Sequence, residues 1–445
     1  MKFIPKYEKT FRPAYLELIK FFKTCNKTLH IAITRNNNLT YRKDIPINDD
    51  FEKSYFYVER MIKSILWIVG GYKIYVDDEK YYERLKNDYS INGNRSFDYK
   101  FMSKVYEHNF QVIYASLEEL PKESSESIKI GGYSDGCRIG FDAGGSDRKV
   151  CAVKDGNVIY SEEILWLPKE NSDPNYHYEE IKKAFKTAAN KLPRVDAIGV
   201  SSAGIYIDNH VRVASLFLKV KEDDFNKKIK TIYKDIASIY GNIPLIVAND
   251  GDVASLAGAI ELNDTNVLGI AMGTSEAAGY INSNGGINGW LNELAFVPID
   301  YSTDAMIDEW SLDYGCGVKY FSQDGVIKLA NNAGLKLSGT LAEKLLEVQK
   351  MCENNNEIAL QIFKDIGICF GYSLAYYSMF YDLKYVLILG RVTSGIGGTK
   401  IIEYANKVLN YLDIKYIKLV TPDEKNKRLG QAFVASTLPK INKEN

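Results

Sequence analysis

The chain has 445 residues, of which 46% are hydrophobic and 25% are charged, and this composition excludes a fibrous or disordered protein. A chain of this length usually forms two or three domains. The 56 basic and 57 acidic residues leave a net charge of −1, which argues against a nucleic-acid partner because domains that hold a phosphate backbone are usually basic.

The sequence also indicates where the protein works. Its longest recognised apolar run, residues 65–69, is far shorter than the ~20 residues of a membrane helix, so no membrane partner is predicted. The first residues lack the apolar core of a signal peptide. Six cysteines without paired spacing indicate reduced thiols. We therefore expect a cytoplasmic protein.

Residues 1–130 are predicted to form an α/β extension whose role the sequence does not reveal. This segment shows neither a recognition helix with its turn nor a basic stripe. A polar stretch rich in serine, glutamate and glycine, residues 121–136, predicts a linker at its end. The predicted elements are helices near residues 15–22 and 58–65 and strands at residues 29–33, 73–76 and 110–115.

Beyond the linker the pattern repeats. The strand at residues 138–142 runs into a glycine turn and a hairpin, and the strand at residues 267–272 again ends in a glycine turn and is followed by a strand. The two similar halves predict a duplicated α/β fold with a cleft between an N-terminal lobe (137–262) and a C-terminal lobe (263–437). The last helix is a candidate to return to the N-terminal lobe.

The two glycine turns are candidate phosphate loops. In the first, Asp142 stands at a strand end before Gly144, Gly145 and Ser146. Backbone without Cβ can approach phosphate oxygens closely, and a carboxylate there could hold magnesium or its waters. A simple hairpin cap explains one such turn equally well. The matching turn in the second half (Gly273, Thr274) favours phosphate binding.

Asn249 and Asp250 follow a buried strand and precede a helix of small residues. A carboxylate in this place could accept the proton of an attacking hydroxyl, with Asn249 holding a neighbouring hydroxyl. Both residue types are also preferred helix N-caps. The glycine turns favour the base. Since no P-loop motif exists, a nucleotide would have to bind between the two turns.

Together these motifs resemble the sugar kinase/hexokinase/actin-like ATPase superfamily, and most nearly its ROK family. The resemblance covers about residues 138–437. It implies an α/β fold of duplicated ribonuclease H-like (actin-like ATPase) domains with an interlobe cleft, to which the N-terminal α/β extension is added. The motifs that carry it are Asp142-Ala-Gly-Gly-Ser, the Ser201-Ser-Ala-Gly turn, Asn249-Asp250, Gly273-Thr274 and Leu389-Gly390.

The resemblance implies a role for each matching residue. Asp142 would hold the magnesium of ATP, Asp250 would be the catalytic base, and Asn249 would contact the sugar. Glu293 falls where ROK kinases have Gly-Glu-x-Gly-His and would bind sugar hydroxyls. The nucleotide-binding residues would be Asp142, Gly144, Gly145, Ser146, Gly273, Thr274 and Gly390.

The chain departs from the ROK pattern at several positions. Phe296 replaces the histidine that binds zinc in ROK proteins, and only Cys316 is left of the cysteine cluster. Four nitrogen or sulfur ligands cannot be assembled, so no zinc site is predicted. The second turn reads Gly-Thr-Ser-Glu, which we expect to place Glu276 near the phosphates, where magnesium or Lys149 would have to offset its charge.

The sequence therefore predicts an enzyme, an ATP-dependent kinase for a hexose or N-acetylhexosamine, with ATP and magnesium as cofactors. Its partner is a small-molecule sugar, and a homodimer is left open. The alternatives are a sugar-sensing regulator with weak or no turnover and an ATPase with the same fold. The altered sugar-site residues keep these alternatives open.

Overall fold

The computed structural model describes residues 1–125, 129–421 and 430–441. The chain forms two compact units. Unit 1 consists of Met1–Ser125, Ile270–Ala278 and Trp290–Thr421, and unit 2 consists of Glu126–Gly269, Gly279–Gly289 and Pro422–Asn445. The first 125 residues thus share a unit with most of the chain's later part.

The N-terminal segment of unit 1 is a four-stranded sheet with four helices. Its elements are α1 (Ala14–Phe22), β1 (Lys27–Thr34), β2 (Thr40–Ile47), α2 (Phe51–Ile68), β3 (Lys73–Val76), α3 (Glu79–Asp88), α4 (Ser96–Tyr106) and β4 (Gln111–Tyr114). The strand order is β2-β1-β3-β4, antiparallel except for the parallel pair β3–β4. Asp50 caps α2 by accepting a hydrogen bond from the Lys53 amide, and the last twelve residues of α2 are all buried.

The predicted strands of this segment are present as β1, β3 and β4, whereas β2, α3 and α4 were not predicted. In the predicted linker, residues 121–125 and 129–136 contain no helix or strand, and residues 126–128 lie outside the described part of the chain. Residues 422–429 of the predicted C-terminal lobe also lie outside the described part of the chain.

Unit 2 is built on a five-stranded sheet of order β11-β8-β5-β6-β7. Its first elements are β5 (Cys137–Ala143), β6 (Asp147–Lys154), β7 (Asn157–Leu165), α5 (Pro174–Ala189), β8 (Ala197–Ser202), β9 (Ile205–Ile207), β10 (His210–Val213), α6 (Glu222–Asp224), α7 (Ile232–Ala237), β11 (Leu245–Asn249) and α8 (Asp250–Leu262). Strands β5, β8 and β11 are parallel, and β5, β6 and β7 form an antiparallel meander. The carboxyl ends of β5, β8 and β11 therefore meet at one edge.

Another four-stranded sheet has the order β13-β12-β14-β15. The remaining elements are β12 (Val267–Met272), β13 (Glu276–Ile281), α9 (Gln323–Asn332), α10 (Leu341–Glu353), α11 (Glu357–Tyr377), β14 (Tyr385–Leu389), α12 (Gly395–Tyr411), β15 (Lys418–Val420) and α13 (Gln431–Ser436). The final helix α13 belongs to unit 2. It lies so close to the sheet of unit 2 that a Cβ on Gly199 would be 1.7 Å from the carbonyl oxygen of Ala435.

Helix α11 corrects the expectation that no stretch is long and apolar enough to cross a membrane. Among the described residues it is the one helix that passes such a test, with a mean hydropathy of 1.3. However, 78% of its apolar window is buried inside the protein, and α1, α9 and α12 pack against it. This burial is typical of a core helix. Its length is hard to predict from the sequence because charged residues interrupt the apolar run.

Candidate functional site

In unit 2 the predicted carboxylates gather at the ends of parallel strands. Asp142 in β5 lies in register with Ser201 in β8, and Asn249 in β11 lies in register with Ser202. Asp250 is the first residue of α8, directly after β11. Clefts at the carboxyl ends of parallel strands are where α/β folds commonly bind ligands. The structure therefore brings Asp142, Asn249 and Asp250 to one edge of the sheet.

Asp142 is a buried carboxyl group with an unusual protonation equilibrium. Its side chain is 8% exposed, and burial raises its pKa to about 6. A hydrogen bond from Ser201 and the charge of Lys149 lower the pKa, while the neighbouring Asp250 and Asp147 carboxylates raise it. A divalent cation would relieve this repulsion, and Mg²⁺ typically binds through one or two carboxylates plus phosphates. The donor set fits magnesium delivered with a nucleotide.

Asn249 is the N-cap residue of α8, as one of the two sequence interpretations predicted. Its side-chain oxygen accepts the Gly251 amide at 2.7 Å, and its Nδ2 donates to the Gly204 carbonyl at 2.7 Å. Its role as a sugar contact stays a prediction.

Asp250 also accepts the Gly251 amide, at 3.1 Å. Burial raises the pKa of Asp250, whereas the backbone hydrogen bonds and the charge of Lys169 lower it. A raised pKa suits a group that must take up a proton near neutral pH.

The first glycine turn is anchored by the residue that follows β7. The Trp166 amide donates to the Ser146 carbonyl at 3.1 Å, and its indole Nε1 donates to the Gly144 carbonyl at 2.8 Å. Lys169 follows shortly after, and a Cβ on Gly145 would lie 3.1 Å from the Lys169 Nζ. An exposed ammonium therefore stands at the tip of the turn.

Sequence reasoning missed Lys169 and named Lys149. The structure pairs the Lys149 ammonium with Asp147 at 3.4 Å and Glu163 at 3.9 Å. The register of the β6–β7 hairpin could have predicted the position of Lys169. Since Asp147 pairs with Leu165, the residues after Leu165 must return to the 144–146 turn.

In unit 1 the second glycine turn lies beside Gly390. The Gly273 amide donates to the Ser275 carbonyl at 2.9 Å, and the side chains of Thr274 and Ser275 are exposed. Gly390 follows β14 with φ of +97°, and a Cβ there would lie 2.3 Å from the carbonyl oxygen of Met272. Any other residue would be strained and would push the strand end away. The structure thus brings Gly273, Thr274 and Gly390 together.

Glu276 corrects the expectation that its carboxylate faces the phosphates. Its side chain is 3% exposed, and neither carboxylate oxygen has a hydrogen-bond partner among the described residues. A Cβ on Gly317 would lie 2.5 Å from its Oε2, which places the carboxyl group inside unit 1. Burial, with a smaller effect of Glu293, raises the pKa of Glu276 to about 8. Near neutral pH this group is mostly a neutral acid, so it needs no offset by Lys149.

Glu293 lies half-buried just before a short turn of residues 294–296. Its amide donates to the Trp67 carbonyl at 2.9 Å, and its carbonyl accepts the Phe296 amide at 3.2 Å. The preceding Asn292 has φ of +53° and accepts the Tyr381 hydroxyl at 2.9 Å. Glu293 thus stands on a backbone that neighbouring segments hold in place.

No protein-family model and no curated protein matches the chain. Solved structures do match. The ROK hexokinase from Thermus thermophilus has a TM-score of 0.54 at 15% identity, and the match covers 68% of this chain and 97% of that one. A proposed N-acetylmannosamine kinase from Listeria monocytogenes has a TM-score of 0.50 at 16% identity, covering 68% and 97%. A ROK-family transcriptional regulator, a homologue of the E. coli MLC protein, has 0.50 at 15%, covering 68% and 78%.

The chain has a ROK-type fold. The predicted resemblance and its α/β fold class are confirmed by these matches, which at such low identity concern the fold alone. Kinases and a regulator share this fold, so it allows either function.

The resemblance to ROK proteins implies a possible zinc site, but the side chains of this chain do not fit one. Phe296 packs against Trp67, with ring centroids 4.3 Å apart. The Cys316 thiol is buried and forms hydrogen-bond contacts with the Ser311 hydroxyl and the Asp313 carbonyl, and burial raises its pKa to about 11. Within the described ranges no group of three or more histidine, cysteine or acidic side chains could hold a metal ion.

Proposed function

We propose that the chain is an ATP-dependent carbohydrate kinase that phosphorylates a hydroxyl of a hexose or N-acetylhexosamine in the cytoplasm. One observation carries the proposal: in a ROK-type fold, Asp142 and Asp250 lie at the shared edge of parallel strands, where the Asp250 carboxylate raises the pKa of Asp142. Such a pair suits one metal-binding carboxylate and one base. The six cysteines are all free, in keeping with a reducing compartment.

The nucleotide roles follow from the two glycine turns. Bound magnesium would neutralise charge that develops on the transferred phosphoryl group. Asp142 would hold that ion or its waters, and Lys169 adds a positive charge next to the first turn. Backbone amides of the turns would donate to phosphate oxygens, and Gly390 would lie against the adenosine. The proposed nucleotide contacts are Asp142, Gly144, Gly145, Ser146, Gly273, Thr274 and Gly390.

The acceptor roles fall to Asp250, Asn249 and Glu293. Asp250 would accept the proton of the attacking hydroxyl as the phosphoryl group transfers to the oxygen. Asn249, fixed by its bonds to Gly204 and Gly251, has one amide hydrogen left to orient a sugar hydroxyl. Glu293 would accept hydrogen bonds from further hydroxyls. Proton uptake by a positioned base is worth about 10²–10⁴ in rate.

A sugar-sensing regulator is the second candidate, favoured by the match to a ROK transcriptional regulator. The near-zero net charge and the lack of a recognition helix or basic stripe in the sequence of residues 1–130 speak against DNA binding. The absence of nucleic-acid and membrane partners stays a prediction, as does a homodimer.

The deciding experiment measures ADP release across hexoses and N-acetylhexosamines, with Asp250→Ala as the matched inactive variant. Turnover that depends on one sugar and is lost in the variant supports the kinase. Calorimetric sugar binding without turnover supports the sensor, and hydrolysis without sugar dependence supports an ATPase. Either of the last two results refutes the proposed kinase.

A further inference from the structure

Helix α2 of the N-terminal segment ends at the candidate sugar-binding loop, residues 291–296. Trp67 and Ile68, the last two residues of α2, accept the amides of Glu293 and Asn292 at 2.9 and 3.0 Å. The last carbonyls of a helix have no partner within the helix and carry partial negative charge. Here two of them hold the backbone of the loop.

Aromatic packing attaches the same loop to the N-terminal segment. The Phe296 ring packs on Trp67 with centroids 4.3 Å apart, and the Phe97 and Phe101 rings lie 5.6 and 6.4 Å from Phe296. The Trp67 indole nitrogen donates to Asp98 at 2.6 Å, which fixes the ring plane. Helix α2 therefore holds the backbone of the loop, and aromatic side chains of α2 and α4 pack against its Phe296 ring.

A buried cluster of ion pairs connects α2 to Asp313. Arg60 donates two hydrogen bonds to Asp313, both 2.7 Å long, and Lys63 donates one of 2.6 Å. Arg95 adds a contact of 3.0 Å to Asp313 and pairs with Glu59.

The charges of the cluster balance. Three basic side chains face the acids Asp313, Glu59 and Asp98, and all but Asp313 come from the N-terminal segment. Removing one partner of such a buried cluster leaves an uncompensated charge, so its geometry is strongly specified.

We infer that α2 is a positioning element for the Glu293 loop, with Trp67 as the positioning residue. Residues 1–125 then serve acceptor binding in unit 1, in the part of the chain where Phe296 and Cys316 provide no zinc ligands. This inference rests on the proposed function only in that Glu293 contacts the sugar. The backbone contacts themselves hold independently of any activity.

The test compares three full-length variants. Trp67→Leu removes the ring stack and the indole hydrogen bond, and Trp67→Phe keeps a ring. Asp365→Asn is the matched control, because Asp365 accepts the amides of Lys6 and Tyr7 and so attaches the N-terminal segment to α11 without touching the loop. For each variant, sugar KM, ATP KM, kcat, melting temperature and hydrogen–deuterium exchange of residues 291–296 are measured.

We expect Trp67→Leu to raise sugar KM about ten- to a hundredfold and to speed exchange in the loop, with ATP KM nearly unchanged. Trp67→Phe should recover most of the sugar affinity. Asp365→Asn should lower the melting temperature while sugar KM stays within about twofold. Equal effects of Trp67→Leu and Asp365→Asn on sugar KM would overturn the inference, because the segment would then only stabilise the unit.

The exchange measurement separates this inference from the proposed function. If the wild type binds and phosphorylates no sugar, the kinase proposal fails, and exchange of residues 291–296 still decides the role of α2. Faster exchange there in Trp67→Leu, with the Asp365→Asn loop unchanged, supports positioning. Unchanged exchange in Trp67→Leu refutes it.

Discussion

The two glycine turns, residues 144–146 and 273–275, look alike in sequence and differ in their electrostatics. Asp142 precedes the first turn and has Ser201 and Lys149 as neighbours, so its pKa rises only to about 6. Glu276 follows the second turn without a hydrogen-bond partner among the described residues, and its pKa rises to about 8. One carboxyl group is ionised at neutral pH and the other is mostly neutral. A turn's composition therefore does not reveal which carboxylate serves a site.

The reason for the difference is the direction of the side chain. Along β13 the burial alternates from buried Glu276 to exposed Ala277 and back to buried Ala278. A side chain at the first strand position points to one face of the sheet, and here that face is the interior. Asp142 is also buried, but it stands at a strand end beside the polar termini of β8 and β11.

The largest expected effect is on kcat, and it tests Asp250 as the proposed base. We expect Asp250→Ala to lower kcat about 10²–10⁴-fold with little change in ATP KM, because proton uptake from the hydroxyl is lost. Steady-state kinetics with the best sugar of the panel measures this. Glu276→Ala serves as the comparison from the second turn. An Asp250→Ala variant with wild-type kcat would contradict the assignment of a base to unit 2.

Glu276→Gln sharpens the comparison through stability. Because the folded pKa lies above the ordinary value of 4.5, the folded state binds the proton more tightly than the unfolded chain. The contribution of Glu276 to the free energy of unfolding should be highest below pH 4.5, fall between pH 4.5 and about 8, and level off above that. The fall is at most about 5 kcal/mol.

Urea unfolding of wild type and Glu276→Gln at several pH values measures this slope. The variant should lack the part of the slope that Glu276 causes. Parallel curves for the two proteins would show that Glu276 titrates normally.

Asp142→Asn tests the carboxylate that precedes the first turn. We expect affinity for the magnesium nucleotide to fall about ten- to a hundredfold, because an amide is a poorer ligand for magnesium or its waters. In the wild type that affinity should decrease as the pH drops below about 6, where Asp142 takes up a proton. Titration with a fluorescent nucleotide at pH 5 to 8 measures both effects. A pH dependence that persists unchanged in Asp142→Asn would refute the assignment.

The smallest expected effect concerns Lys169 at the tip of the first turn. We expect Lys169→Gln to raise ATP KM about two- to fivefold, since its exposed charge is screened by salt. Its charge lowers the pKa of Asp250, so the acid limb of the rate profile should move to higher pH in the variant. Lys182→Gln is the matched control, because Lys182 lies on α5 and pairs with Glu179. Equal ATP KM values in both variants would contradict a special role of Lys169.

Several parts of the site could be predicted because they depend on local pattern. A run of apolar residues ending in Asp-Ala-Gly-Gly-Ser predicts a strand and a turn whatever surrounds it, and β5 and its turn are present. The strands before Asn249, Gly273 and Gly390 followed from the same pattern. Lys169 was missed because its place depends on hairpin register, which only a count along two paired strands provides.

The sequence by itself determined the order of strands, turns and chemical groups, because backbone propensities and side-chain spacing act over a few residues. Only the tertiary structure decided that Glu276 is buried, that α2 holds the backbone of Glu293 and that Asp313 gathers three basic side chains from the N-terminal segment. Those outcomes depend on contacts between residues up to about 250 positions apart, such as Arg60 with Asp313. Burial and charge partners at such separations come from packing, which no local pattern encodes.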